Sequence, residues 1–307
     1  MRTKTIPRRS SIDSQWVGFV CIIPWILGFL VFQLFPFLSS LFYSFTKFNI
    51  NVKPVYIGLQ NYIEMFSDDR IFFNSVRVTL IYVFFSVPLK LAFALLIAVI
   101  LNKNLRFLTF FRTVYYLPSI LGSSVGISIL WRMLFYRQGL VNSIIGVFGI
   151  TPIDFLGSPD LAIYTIGLLS VWQFGSSMVI FLAALKQVPT ELVEATRIDG
   201  ANRVQIFFKI TLPIISPMIF FNLIMQITLA FQQFNSPYLI TKGGPLRSTY
   251  LYGLMLYENA FRYQRMGYAC AQSWMLFVVI MVFTALIFKS SPYWTYYEDG
   301  GRQNEKI

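Results

Sequence analysis

Residues Val78–Asn102 read VTLIYVFFSVPLKLAFALLIAVILN, an apolar stretch in which Lys90 is the single charge. A bilayer core about 30 Å thick is crossed by roughly 20 apolar residues of helix, so this stretch predicts a membrane-spanning helix. Five other stretches have the same character. The sequence therefore predicts six transmembrane helices, at about residues 16–44, 78–102, 113–135, 161–185, 213–240 and 267–288.

The composition of the chain supports this prediction. Of its 307 residues, 56% are hydrophobic and 12% are charged, and the charged share is about half that of an ordinary soluble domain. The chain has no histidine, and Cys21 and Cys270 both lie in apolar runs. These facts exclude a catalytic triad with histidine, a His- or Cys-based metal site and a disulfide framework. The net charge of +12 is better explained by membrane orientation than by nucleic-acid binding.

The basic residues also predict an orientation. With the N-terminus inside, fourteen Lys and Arg residues flank the spans on the cytoplasmic side and ten on the outer side, which follows the positive-inside rule. The fold class is therefore an all-α integral membrane protein with both termini in the cytoplasm. Residues 1–15 form a cytoplasmic tail, residues 16–289 the transmembrane domain and residues 290–307 a second cytoplasmic tail. The first apolar run is too long for a cleaved signal peptide.

Polar residues within the spans suggest a pathway. No Asp or Glu lies inside a span, which argues against an ion-coupled carrier. Lys90 is either functional or paired with a neighbouring helix. Amide side chains can bind sugar hydroxyls, and aromatic faces can stack on sugar rings. The same residue types also join packed helices by hydrogen bonds. The candidate pathway residues are Gln173, Gln226, Gln232, Gln233, Asn235 and Tyr238.

The segment 186–213 differs from every other loop. Pro189-Thr190 predicts a helix start with Thr190 as N-cap, and Asp199-Gly200 predicts the end of that helix. A second amphipathic turn then leads to the fifth span. Two short helices at a bend beside the membrane indicate a docking element, although a surface hairpin without function has the same local pattern.

The spacing within this segment adds a resemblance. Glu194-Ala195-Thr196, followed by Gly200, Ile210 and Leu212-Pro213, resembles the EAA loop of ABC import permeases, with Thr196 where the pattern prefers Ala. Asp199-Gly200-Ala201 is similar to the carbohydrate-uptake branch of that family. A second segment is similar to the same branch and carries Gly243-Gly244-Pro245 and Ser248-Thr249.

This resemblance implies a fold like that of type I ABC importer permeases and several partners. A second similar permease, a cytoplasmic ATPase dimer, an extracytoplasmic solute-binding protein and a sugar or oligosaccharide are expected, in a bacterial-type cytoplasmic membrane. The chain has no P-loop, so ATP and Mg²⁺ would bind the partner ATPase, and this chain would bind no cofactor or metal and perform no catalysis. The alternatives are an importer of a non-sugar solute and a secondary carrier.

The resemblance also implies roles for two sets of residues. The ATPase-coupling residues are Glu194, Ala195, Thr196, Asp199, Gly200 and Ala201. The residues of the outer loop that faces the binding protein are Gly243, Gly244 and Pro245.

Overall fold

The computed structural model describes residues 11–67, 69–103, 107–122 and 124–296, with side chains from residue 19 onward. The distal parts of both predicted tails, residues 1–10 and 297–307, lie outside the described residues. Within the described ranges the chain is almost entirely helical. The helices are α1 (Ser11–Phe29), α2 (Phe35–Ser44), α3 (Gln60–Ser67), α4 (Arg70–Leu101), α5 (Leu108–Leu121), α6 (Val125–Phe135), α7 (Leu140–Val147), α8 (Ala162–Trp172), α9 (Gly175–Leu185), α10 (Thr190–Ile198), α11 (Arg203–Ile206), α12 (Leu212–Phe231), α13 (Asn235–Ile240), α14 (Tyr252–Tyr257) and α15 (Met266–Trp294).

Four helical stretches are long and apolar enough to cross a membrane: Phe19–Ser44, Arg70–Leu101, Arg203–Ile240 and Met266–Trp294. Two bent pairs raise this number to six if each pair is one span. In the second pair, α8 and α9 meet at 45°. The predicted spans at 113–135 and 161–185 thus fall on helices that break near their middle. The helices α1 and α15 also extend into the sequence assigned to the tails, because α1 begins at Ser11 and α15 ends at Trp294.

The chain divides into two compact units. One is formed by the described residues up to Glu64 together with Asn259–Trp274. It contains an antiparallel hairpin of β1 (Thr46–Asn49) and β2 (Val52–Tyr56), in which Thr46 pairs with Tyr56. This hairpin was not predicted from the sequence. The Asn61 amide holds it to the end of α2, since its Nδ2 donates to the carbonyl oxygens of Ser44 (2.8 Å) and Thr46 (3.0 Å).

The other unit is formed by Met65–Glu258 and the described residues from Met275 onward. Helix α4 lies at its centre and packs against α8, α9 and α12. The buried core here includes Tyr82, Ile166, Met178 and Phe181. This apolar packing holds α9, and the predicted docking segment 186–213 begins directly after that helix. Lys90 is buried in α4, and among the described residues no carboxylate lies within ion-pair distance of its ammonium group.

Candidate coupling loop and substrate pathway

Helix α10 carries the predicted docking residues on an exposed surface. Its residues are all exposed or half-buried, and Glu191 lies in its first turn, where a carboxylate is stabilised by the helix dipole. The residue at the N-cap position is Pro189, and no side chain caps the helix. The prediction of Thr190 as N-cap was therefore wrong, and Thr190 is instead the first helical residue. The proline imposes the extended backbone that precedes the helix.

A sharp bend follows α10. The N–H groups of Asp199, Gly200 and Ala201 donate to the carbonyl oxygens of Ala195 (3.1 Å), Arg197 (3.1 Å) and Thr196 (3.2 Å), which closes the helix end. Gly200 has φ +86°, a backbone conformation that side chains with a β-carbon rarely adopt. A β-carbon at this position would meet nothing within 4 Å. The requirement for glycine at this bend is therefore conformational rather than steric.

A capping box connects the bend to the next helix. The Asn202 N–H donates to Gln205 Oε1 (2.8 Å), and the Gln205 N–H donates to Asn202 Oδ1 (2.9 Å). This reciprocal pair fixes the start of α11. The chain then continues without interruption through a π-helical turn, Phe207–Thr211, into α12. A displacement of the loop would therefore be transmitted directly to a long apolar helix.

The segment 186–213 also has exposed apolar side chains. Ile198 is 86% exposed, Val204 64% and Phe208 59%, while Ile206 is buried against the unit. An exposed apolar side chain outside the membrane helices is typical of a protein–protein contact, and Ile198 at the end of α10 is such a side chain. Val204 and Phe208 belong to the amphipathic turn that the sequence predicts after Gly200, whereas the exposure of Leu192 and Ile198 was not predicted.

The structure separates the candidate pathway residues into two single residues and one group of four. Gln226 is buried within α12. Gln173 lies at the break between α8 and α9, where its Nε2 donates to the Gly122 carbonyl oxygen (3.0 Å). Its own carbonyl oxygen accepts from Ser119 Oγ (3.0 Å). Gln173 thus has a packing role at this break. The third set, Gln232, Gln233, Asn235 and Tyr238, lies together around the break between α12 and α13.

This second break carries an aromatic cluster. The rings of Phe234 and Tyr238 stack at 5.1 Å between centroids, and the Tyr257 ring from α14 lies 4.7 Å from Phe234 and 5.5 Å from Tyr238. The Tyr238 side chain is 39% exposed, and Gln232 and Asn235 beside it are exposed. We call Phe234, Tyr238 and Tyr257 the aromatic cluster. Tyr257 was not among the predicted pathway residues, because 19 positions of sequence separate it from Tyr238.

The predicted outer loop is held tightly. Gly243 is buried at φ +82°, and a β-carbon there would lie 2.6 Å from the Tyr250 ring. Thr249 is fully buried, and its hydroxyl donates to the Gly244 carbonyl oxygen (2.7 Å) and lies 2.7 Å from Thr241 Oγ1. Gly244 and Pro245 are half-buried. The residues of this loop that the structure leaves exposed are Lys242, Leu246 and Arg247.

Four long apolar helices and two bent helix pairs, with an exposed and capped loop between two of them, are the architecture of a polytopic membrane protein. Residues 69–292 match the family described as binding-protein-dependent transport system inner membrane component. The chain is 48% identical over 293 residues, covering 94% of this chain and 95% of the relative, to "Probable ABC transporter permease protein YesP" of Bacillus subtilis strain 168. It is 32% identical, over 87% of this chain and 86% of the relative, to "Arabinooligosaccharides transport system permease protein AraP" of the same organism.

A solved structure has the same fold. A chain in the crystal structure of a bacterial alginate ABC transporter in complex with an alginate pentasaccharide-bound periplasmic protein matches with a TM-score of 0.79 and 22% identity, over 92% of this chain and 96% of that chain. The protein described here belongs to the family of binding-protein-dependent transport system inner membrane components. It is a multi-pass membrane permease and a transport component rather than an enzyme. The predicted family is confirmed.

Proposed function

We propose that the chain is one of two permease subunits of an ATP-driven importer for a sugar or an oligosaccharide. In this proposal it crosses the cytoplasmic membrane six times, with both termini inside, and each bent helix pair forms one span. A second, similar permease completes the pathway, a cytoplasmic ATPase dimer drives it, and an extracytoplasmic binding protein delivers the sugar. The chain itself binds neither ATP nor a metal.

The exposed bend between α10 and α11 is the observation that carries this proposal. Glu194 is available for charge-assisted hydrogen bonds to an ATPase, since charged acceptors give the stronger contacts at an interface. Ala195 permits close approach, and Thr196 folds its hydroxyl back onto the Leu192 carbonyl oxygen (2.6 Å). Asp199, Gly200 and Ala201 form the bend that joins this surface to the helix leading into α12. The exposed Ile198, Val204 and Phe208 would be buried when the ATPase binds.

The aromatic cluster supports a sugar as the solute. Tyr238 is partly exposed, and the exposed amides of Gln232 and Asn235 lie next to it in the sequence. Aromatic faces and amides together suit the apolar face and the hydroxyl groups of a sugar. The names of the relatives point to the same solute class. In this proposal Gln233 orients the site, because its Nε2 already donates to Ser236 Oγ (2.8 Å).

The coupling assignment is tested by Glu194→Lys, with Asp160→Lys as a matched charge reversal at an exposed outer position. We expect Glu194→Lys to lower ATP-dependent uptake at least tenfold and to reduce the amount of ATPase that copurifies with the tagged chain. The amount of the variant in the membrane should equal that of the unchanged chain. Asp160→Lys should change neither quantity. Normal copurification and normal uptake by Glu194→Lys would contradict the assignment.

A further inference from the structure

A cleft of about 400 Å³ lies beside the outer loop, within the unit that contains Met65–Glu258. The end of α6 and the turn after it form one wall, the segment 153–157 a second, and the end of α13 with the outer loop a third. Its lining includes Arg132, Arg137, Asp154, Thr241, Gly244 and Pro245. A cleft of this volume lies within the range of small-molecule sites.

The charge in this cleft is predominantly positive. Arg132 and Arg137 are both exposed, and within the described ranges neither guanidinium forms an ion pair. Asp154 is the acid in the lining, and its Oδ1 accepts the Gly157 N–H (2.8 Å), so one carboxylate oxygen is already engaged in a turn. Two guanidinium groups at a concave surface favour carboxylate and phosphate, which they can bind through paired N–H donors.

The first two walls of the cleft are fixed by a buried amide. Asn142 is 4% exposed, and its Nδ2 donates to the carbonyl oxygens of Ile153 (2.7 Å) and Tyr136 (3.4 Å). The Ile153 N–H donates in return to Asn142 Oδ1 (2.9 Å). One side chain thereby ties the turn that carries Arg137 to the segment that carries Asp154. Groups held in place before a ligand arrives lose less entropy on binding.

The third wall of the cleft is part of the helix that also carries Tyr238 of the aromatic cluster. Helix α13 packs against α6. Its last residue, Ile240, lines the cleft, and Tyr238 of the aromatic cluster lies two residues before it. A six-residue helix is only about 9 Å long, which is close to the length of two sugar rings. A ligand anchored at the arginines could therefore extend towards the aromatic cluster.

We propose that this cleft binds an anionic group carried by a sugar, either the carboxylate of a uronic acid or a phosphate ester, at the entrance of the pathway. The proposal rests on the proposed function as a sugar importer. It assigns to Arg132 and Arg137 the selection of charged over neutral sugars by this subunit, and to Asp154 a repulsive contribution that limits anion binding.

The test uses the complete transporter, purified with its own partners and reconstituted in proteoliposomes at saturating binding protein. The probes are digalacturonate, glucose 6-phosphate and the neutral maltotriose. The double variant Arg132→Gln/Arg137→Gln is compared with Arg70→Gln/Arg77→Gln, which removes two exposed arginines outside the cleft. We expect the cleft variant to lower uptake of at least one anionic probe tenfold or more and to change maltotriose uptake less than twofold. The control variant should leave all rates unchanged, and the affected probe identifies the anionic group.

A second variant acts in the opposite direction. Asp154→Asn keeps an oxygen that can accept the Gly157 N–H but removes the negative charge, so uptake of the anionic probe should rise about twofold to fivefold. Uptake of maltotriose alone by the unchanged transporter would overturn the proposal and leave the sugar-importer function intact. Uptake of none of the three would also overturn the proposal, while the sugar-importer function would still be decided by the Glu194→Lys experiment. The cleft variant could also keep its uptake rate at saturating binding protein but need more binding protein for half-maximal uptake. That result would show that the two arginines dock the binding protein, and it would also overturn the proposal.

Discussion

The coupling loop, residues 186–213, and the outer loop, residues 241–249, lie on either side of α12 and α13 and are stabilised in different ways. The side chains of α10 in the coupling loop are exposed or half-buried, and hydrogen bonds at the helix ends define its shape. The outer loop buries Gly243 and Thr249, and the Thr249 hydroxyl donates to the Gly244 carbonyl oxygen and contacts the Thr241 hydroxyl.

This difference indicates where another protein is required. A surface with exposed apolar side chains gains free energy when a partner covers it, because apolar area is removed from water. A loop that is held by internal hydrogen bonds, as the outer loop is through Thr241, Gly244 and Thr249, keeps its own shape without a partner. Under the proposed function, the coupling loop is therefore the surface that a second chain covers, and the outer loop is a fixed wall beside the cleft lined by Arg132 and Arg137. Substitutions in the two loops should have different consequences.

The largest effect is expected for Gly200→Val. The φ of +86° at this position is unfavourable for any residue with a β-carbon and most of all for a β-branched one. The left-handed conformation costs ordinary residues about 1–2 kcal/mol, and valine exceeds this range, so ATP-dependent uptake should fall tenfold or more. Gly200→Asn is the matched control, because asparagine tolerates positive φ. It should retain at least a third of the uptake. Equal loss in both variants would show that side-chain size, rather than backbone conformation, matters here.

A smaller effect is expected for Thr249→Val in the outer loop. Valine preserves the shape but leaves the Gly244 carbonyl oxygen without the hydroxyl that donates to it at 2.7 Å. An unsatisfied buried group costs about 1–3 kcal/mol, so the midpoint of thermal unfolding in detergent should fall by about 2–6 °C. ATPase copurification should not change.

The neighbouring hydroxyl provides the control for this prediction. Ser248 Oγ is buried and has no hydrogen-bond partner within the described part of the chain. Ser248→Ala should therefore leave the midpoint unchanged or raise it slightly. A drop as large as that of Thr249→Val would indicate that the loop is sensitive to any change of volume, and that the hydroxyl pair does not stabilise it.

The spans and the coupling loop could be predicted from the sequence because both depend on local patterns. Apolar runs identify the apolar helices, and Asp199-Gly200 marks the end of α10 because glycine tolerates the positive φ found there. The breaks at Gln173 and between α5 and α6 could not be predicted in this way. A hydropathy profile shows how long an apolar stretch is, but it does not show whether the helix bends within it. The hairpin of β1 and β2 was missed because its strands are only four and five residues long and lie between the apolar stretches from which the helices were predicted.

The sites depend on contacts between distant residues. Tyr257 joins Phe234 and Tyr238 only after α14 has packed near the end of α12, and Arg137 approaches the outer loop only after α6 has packed against α13. No pattern within either segment encodes these distances. The sequence could therefore indicate which residue types are suited to a sugar pathway, but it could not select the members of the aromatic cluster or join the two halves of the basic cleft.

The most direct test of the central claim is photocrosslinking from the coupling loop in the native membrane. A photoreactive amino acid is introduced at Ala195, and in a separate variant at Ile150, an exposed residue that lies on the outer side in the proposed topology. The account predicts an adduct between the Ala195 variant and an ATP-binding subunit, weaker when Glu194→Lys is added, and no such adduct from Ile150. Absence of an ATP-binding protein among the Ala195 adducts, in membranes that still take up the substrate, would contradict the account.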